Sequence, residues 1–219
     1  MAIPDPPERQ PIHVREYGDA GWPLVLLHGG PGAPGYMAPV ARVLSAYTHV
    51  FEPLQRTSDD GPLTVQRHID DLREVIVSHC CDVAPVVVGH SWGAMLALAY
   101  AAQFPDSVAG LVLVGGGTFD RESRNVLQST LKERATPEFN SRLARVTRGV
   151  TDPDVHMCVL ARFLDPLYTY EGLPEEDETE DYDSRGHEQT WNDMVRLQQE
   201  GVYPAAFKPI SMPFLMLHG

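Results

Sequence analysis

Residues 84–105 constrain this chain more than any other stretch. Ala84-Pro85-Val86-Val87-Val88 is a short apolar run rich in β-branched side chains, which favour extended backbone. It ends in Gly89-His90-Ser91-Trp92-Gly93. The next nine residues, Ala94 to Ala102, are mostly strong helix formers, and Pro105 closes the run. The pattern predicts a buried strand, a sharp turn and a helix in direct succession. Gly89 and Gly93 flank the turn, where bulkier side chains would strike the neighbouring strand and helix.

The first half of the chain repeats this alternation. Residues 13–18 alternate apolar and polar and read as an edge strand. Residues 23–27 and 49–54 are further strands, and 110–114 is a buried one. Helical spacing appears over 36–47, with Met37, Val40, Val43 and Leu44 on one face. It appears again over 63–79, with Val65, Ile69, Leu72, Ile76 and Val77 expected to face inward. Apolar strands alternating with helices call for an α/β fold, a mostly parallel sheet covered by helices on both faces. Sites in such sheets lie at the carboxyl ends of the strands.

Ser91 stands at such an end. A G-x-S-x-G sequence between strand and helix holds the serine hydroxyl out above the sheet, the nucleophile-elbow arrangement. The amino terminus of the following helix favours developing negative charge there. A second motif, His28-Gly29-Gly30-Pro31-Gly32, follows the strand at 23–27. Acyl transfer generates an oxyanion that needs fixed N–H donors about 3 Å away. The N–H of Trp92, the residue after the serine, is one expected donor, and the N–H of Gly30 is the other. His28, Gly29, Gly89, His90 and Gly93 are expected to support the two motifs. A plain Gly/Ser turn and a plain Gly/Pro loop are the simpler readings of each. A phosphate loop is disfavoured at 28–32, because no Gly-Lys-[Ser/Thr] follows and Pro31 has no N–H.

Together the two motifs resemble the α/β-hydrolase superfamily and, within it, the proline-iminopeptidase-like serine hydrolases. The resemblance runs from about His13 to the end of the chain and is strongest over 23–32 and 84–116. It implies a helical cap inserted between two core strands. The expected division is 1–117 as core, 118–209 as cap and 210–219 as the return to the core. Residues 121–134, 139–148 and 187–200 look helical, and 213–217 resumes strand character. The resemblance also implies a triad acid shortly beyond Gly219 and a histidine further on, so that the chain reads as truncated before its last strand and helix. Upstream, Asp120 is the nearest alternative acid. His156 and His187 lie in the expected cap, and no histidine stands out as a base. The family pattern Asp-Gln-Arg-Gly after the third strand survives only as Gln55-Arg56, which argues against strict prolyl specificity. Iminopeptidases bind the substrate amine with cap glutamates. Glu171 and Glu188 are of the right type, but their spacing selects neither.

Bulk properties narrow the partners. The formal charge is −13 over 219 residues, so a nucleic-acid partner is not expected. Much of the excess is local: Glu171, Glu175, Glu176, Asp177, Glu178, Glu180, Asp181 and Asp183 crowd one stretch, which reads as a solvated, mobile loop. No apolar run approaches the roughly 20 residues that span a membrane, and residues 1–9 lack a signal-peptide core and read as a flexible lead-in. A cytoplasmic location is expected. Cys80, Cys81 and Cys158 imply no disulfide framework, and none has metal-ligand spacing. No metal or organic cofactor is expected. The expected partner is a small-molecule or short-peptide substrate. Two functions remain open: a serine hydrolase acting on an ester or amide through Ser91, or a catalytically silent binding protein on the same fold.

Overall fold

The computed structural model describes residues 11–169, 171, 172, 178 and 180–218. Six strands form one sheet: β1 (Val14–Tyr17), β2 (Pro23–Leu27), β3 (His49–Pro53), β4 (Val86–His90), β5 (Gly110–Val114) and β6 (Phe214–Leu217). Their spatial order is β1-β3-β2-β4-β5-β6. β1 runs antiparallel to β3, and the remaining pairs are parallel. The expected mostly parallel sheet is therefore present.

The helices of the first half are α1 (Ala38–Leu44), α2 (Val65–His79) and α3 (Trp92–Gln103). On one face of the sheet, Val25, Leu27, Phe51, Val87, Leu111 and Leu113 pack with α2 and α3. On the other, Leu26, Val50 and Val88 pack with Met37 and Ala41. The sheet meets a narrower arc of each helix than the apolar pattern suggests. Val40 and Val43, on the shared apolar face of α1, are exposed, as is Val77 of α2, which is expected inward. In α2 the buried arc runs through Val65, His68, Ile69, Leu72, Val75 and Ile76, and Val77 falls opposite it. Polar residues stand inside that arc because each has a partner. Asp71 is paired with Arg56 at 3.1 Å and Arg67 at 3.0 Å, which offsets the desolvation of its carboxylate.

Among the described residues, four α-helices fall between β5 and β6: α4 (Arg121–Arg134), α5 (Pro137–Val146), α6 (Pro153–Tyr168) and α7 (Ser184–Gln199). The sequence patterns over 121–134, 139–148 and 187–200 match α4, α5 and α7. α6 is an addition. Asp152 caps it by accepting the N–H groups of Asp154 and Val155, and Pro153 occupies its first turn.

The acidic stretch departs from a solvated loop. Glu175, Glu176 and Asp177 lie outside the described residues. Glu178 pairs with Arg42, and Glu180 with Arg15 at 2.8 Å. Asp183 is buried. It accepts the N–H and hydroxyl of Ser58 at 2.6 and 2.8 Å, and also caps α7 through the Gly186 N–H at 2.8 Å. The stretch contains no base of its own, but distant arginines and local donors compensate Glu178, Glu180 and Asp183. β6 pairs with β5 along its length, yet Phe214, Leu215, Met216 and Leu217 all remain about half exposed.

Candidate active site

The parallel pairing of β2 with β4 brings the two motifs together. Leu27 stands opposite Gly89 in register, so both chains leave the sheet side by side. From there β4 turns sharply at Ser91, whose φ of 53° and ψ of −113° lie where side chains other than glycine rarely go. The turn is held by the Ser91 N–H on the Val114 carbonyl at 2.9 Å, and by Gly117 and Ala94 N–H groups on the Ser91 carbonyl.

The flanking glycines are required by close approach. A Cβ on Gly93 would stand 2.5 Å from the Leu27 carbonyl oxygen and 2.8 Å from that of His28. A Cβ on Gly89 would overlap the Gly93 carbonyl. Gly29 is wedged in the same way: its Cβ would lie 2.9 Å from Ser91 Cβ and 2.5 Å from the Tyr36 hydroxyl. The loop at 28–32 thus passes directly against the serine.

The loop's donors are divided. The Gly29 N–H, on a buried residue, donates to the Tyr36 hydroxyl at 2.5 Å. Gly30 is exposed, with φ +114°. Among the described residues, neither the Gly30 nor the Trp92 N–H finds a backbone acceptor. Trp92 is the first residue of α3, where N–H groups have no intrahelical acceptor. Its indole donates to Gln55 Oε1 at 3.0 Å, and the ring packs edge-on against His68.

His28 organises the loop from beneath. Its Nδ1–H donates to the Gly29 carbonyl at 2.7 Å, and its Nε2 accepts the Gln55 N–H at 3.3 Å. These partners fix a neutral tautomer. Complete burial agrees, pushing the imidazole pKa down to about 4. His90 hydrogen-bonds Tyr36 through Nδ1 at 2.6 Å, and burial lowers its pKa as well.

From above, the start of α7 braces the loop. His187 Nδ1 donates to the Pro31 carbonyl at 2.8 Å, and the Asp183 N–H to the Gly32 carbonyl at 2.9 Å. The Glu180 N–H reaches the Pro34 carbonyl at 2.8 Å. His28, His68, His90 and His187 each spend a ring nitrogen on these or neighbouring groups, and none is hydrogen-bonded to Ser91 Oγ. Asp120 is occupied as the cap of α4, accepting the Ser123 N–H at 2.7 Å, and those bonds lower its carboxyl pKa. Glu171 and Glu188 are exposed.

Comparison with known proteins decides the family. A profile described as the alpha/beta hydrolase family matches residues 24–219. The chain belongs to the alpha/beta hydrolase family. Among curated relatives of this alpha/beta hydrolase, a cis-3-alkyl-4-alkyloxetan-2-one decarboxylase of Shewanella oneidensis is 29% identical over 140 residues, covering 55% of this chain and 44% of its own. A 2-hydroxy-6-oxononadienedioate/2-hydroxy-6-oxononatrienedioate hydrolase of Burkholderia vietnamiensis is 34% identical over 119 residues, 49% of this chain and 40% of its own. A proline iminopeptidase of Saccharolobus solfataricus is 30% identical over 101 residues, 42% of this chain and 33% of its own. The aligned region spans less than half the length of these relatives. Among solved structures, a putative lipase of Acinetobacter baumannii superposes with a TM-score of 0.59 at 19% identity, covering 92% of this chain and 68% of its own. A thermophilic esterase of Thermogutta terrifontis superposes at 0.58 and 18%, covering 95% and 74%. At such identities these structures establish the shared fold.

Two residues of the candidate site carry more than their sequence signal suggests. Gln55 was visible only as part of the Gln55-Arg56 pair, yet it bridges loop and elbow, its Nε2 reaching the His28 carbonyl at 3.4 Å. Tyr36 carried no signal, because its role depends on β2 and β4 being neighbours.

Proposed function

We propose that this alpha/beta hydrolase cleaves an ester or amide bond through an acyl-enzyme at Ser91. The observation that carries the reading is the meeting of Gly29 with Ser91 at the ends of β2 and β4. It sets the accessible serine beside a loop whose Gly30 N–H finds no backbone acceptor among the described residues. In this reading Ser91 Oγ attacks the carbonyl carbon and its proton passes to a general base. The carbonyl oxygen becomes an oxyanion held by the Gly30 and Trp92 N–H groups. Collapse expels the alcohol or amine, and water then releases the acid. The base and its orienting acid lie outside the residues gathered at Ser91. α4 to α7 act as a cap over the site, since α7 is the element that touches the loop.

The test is turnover of a nitrophenyl ester by the full-length protein, alongside proline and alanine nitroanilides. Ester hydrolysis that falls about 10⁴-fold or more in Ser91→Ala is expected. Turnover of an anilide would extend the reading to an aminopeptidase. Unchanged ester hydrolysis in Ser91→Ala would defeat it.

A second reading is a binding protein that keeps the elbow without catalysis. The observation favouring it is that the four histidines around the site are all engaged away from Ser91 Oγ. It requires ligand binding without turnover, unaffected by Ser91→Ala.

A further inference from the structure

Tyr36 precedes α1, and its hydroxyl lies on the same side of Gly29 as Ser91, between the two motifs. It accepts the Gly29 N–H at 2.5 Å and lies 2.6 Å from His90 Nδ1, the residue immediately before the serine. A hydroxyl has a single proton. Having accepted from Gly29, it can give that proton to His90 Nδ1, an arrangement that places the ring proton on Nε2. Burial keeps His90 neutral and so suited to this role. The Tyr36 and His90 rings meet edge to face at 5.7 Å, so the phenol is held in direction as well as in reach.

This arrangement settles which loop donor is consumed. Gly29 and Gly30 carry adjacent N–H groups; the first is spent on Tyr36, and the second has no backbone acceptor among the described residues. With Gly29 tied to Tyr36, rotation of the peptide between His28 and Gly29 breaks a hydrogen bond and leaves a buried N–H unsatisfied. The Gly29 carbonyl is fixed as well, because it accepts from His28 Nδ1. Both polar atoms of Gly29 are therefore committed, and the next N–H, that of Gly30, is left facing the side where Gly30 is exposed.

We infer that Tyr36 is a positioning residue. Its hydroxyl, relayed to His90, locks the His28–Gly29 peptide, and with the Gly29 carbonyl held by His28 the following Gly30 N–H is presented to the oxyanion formed at Ser91. The inference rests on the serine-hydrolase reading and adds to it a residue that acts through the Gly29 and His90 groups it is bonded to. The relay ties the oxyanion loop to the elbow by a side chain, independently of the sheet pairing that brings them near.

The experiment compares Tyr36→Phe with the full-length wild type in ester turnover and in inhibition by a trifluoromethyl ketone, which adds to a serine as an oxyanion. Loss of a donor costs about 10²–10³ in rate, and a misdirected donor keeps part of its effect, so kcat is expected to fall about tenfold to a hundredfold with KM little changed. The ketone should bind more weakly by a similar factor, while a ground-state product acid binds as before. Wild-type kcat, or equal loss of ketone and product binding, would overturn the inference. Should Tyr36→Phe fold poorly, His90 provides an independent route. His90→Asn keeps an acceptor where Nδ1 stands and should lose less kcat than His90→Leu, which should reproduce the Tyr36→Phe defect. The double variant Tyr36→Phe/His90→Leu should be no worse than the worse single one, and additive losses would count against the relay. Failure of the underlying reading looks different: Ser91→Ala would match wild type, and the ketone would not bind wild type at all.

Discussion

In α3, nine of twelve residues are buried, whereas α4 and α5 together bury none. The two regions differ in what holds them. The turn from β4 into α3 is fixed by contacts so close that two of its positions admit only glycine. α4 and α5 are held by their own caps, Asp120 and Thr136, and by partial contacts with α6. The difference teaches where this molecule is intolerant and where it is free. Rigidity is concentrated at the candidate catalytic turn, and the exposed helices between β5 and β6 are left to vary.

Substitution at the turn should have the largest effect. Gly93→Ala drives a methyl into the Leu27 and His28 carbonyls, which are backbone and cannot step aside. A loss of about 3 kcal/mol or more is expected, read by urea unfolding or as failure to accumulate folded protein. A mild effect would mean that the two regions are less different than their packing implies.

Asp183→Ala comes next. It removes an acceptor serving Ser58 twice and Gly186 once, leaving a buried Ser58 N–H unsatisfied. About 2 kcal/mol is expected, with faster hydrogen exchange over 184–199 than over 92–103. Equal protection of the two helices would show that α7 belongs with the rigid region.

A smaller, pH-dependent effect isolates His68, which packs on Trp92. Burial pushes its pKa down to about 3 from the ordinary 6.5. The unfolded chain therefore takes up the proton first, and stability is lost as pH falls below about 6.5 toward 3. The melting temperature of wild type minus that of His68→Gln should shrink steadily from pH 7 to pH 4. A constant difference would contradict the burial of a neutral imidazole there. The variant comparison is needed because burial raises the carboxyl pKa values of Glu52 and Asp71, which act in the opposite sense in acid.

Val126→Ser on α4 should do least, within about 0.5 kcal/mol, since the side chain is 62% exposed. A loss well above that in thermal unfolding would reveal that α4 is covered in solution.

How much of this was legible beforehand follows the same division. β4, the turn and α3 could be read from residues 84–105 because local chemistry there agrees with the global fold. β-branched residues, glycines and alanines each sit where the sheet needs them. α6 escaped notice although Asp152 and Pro153 mark its start, since Pro166 within it reads as a break. The exposure of Val77, and of Val40 and Val43 on the apolar face of α1, differs from the pattern because periodicity gives an arc but not the width of the surface that covers it. Ser91, Gly30 and Trp92 could be named from motif alone. The relay through Tyr36 and the bridge through Gln55 could not, because they join residues 54 and 37 positions apart whose proximity only strand order creates.

The bracing of the loop at 28–32 by α7 has a consequence for how the molecule is made. Its anchors, Asp183 and His187, are synthesised some 150 residues after the loop they hold. At about 5–20 residues per second, that interval is on the order of ten seconds. The strands flanking the loop can assemble as they emerge, but the loop takes its final form only late in translation. A nascent chain stalled before Asp183 would carry a formed elbow facing an unbraced loop.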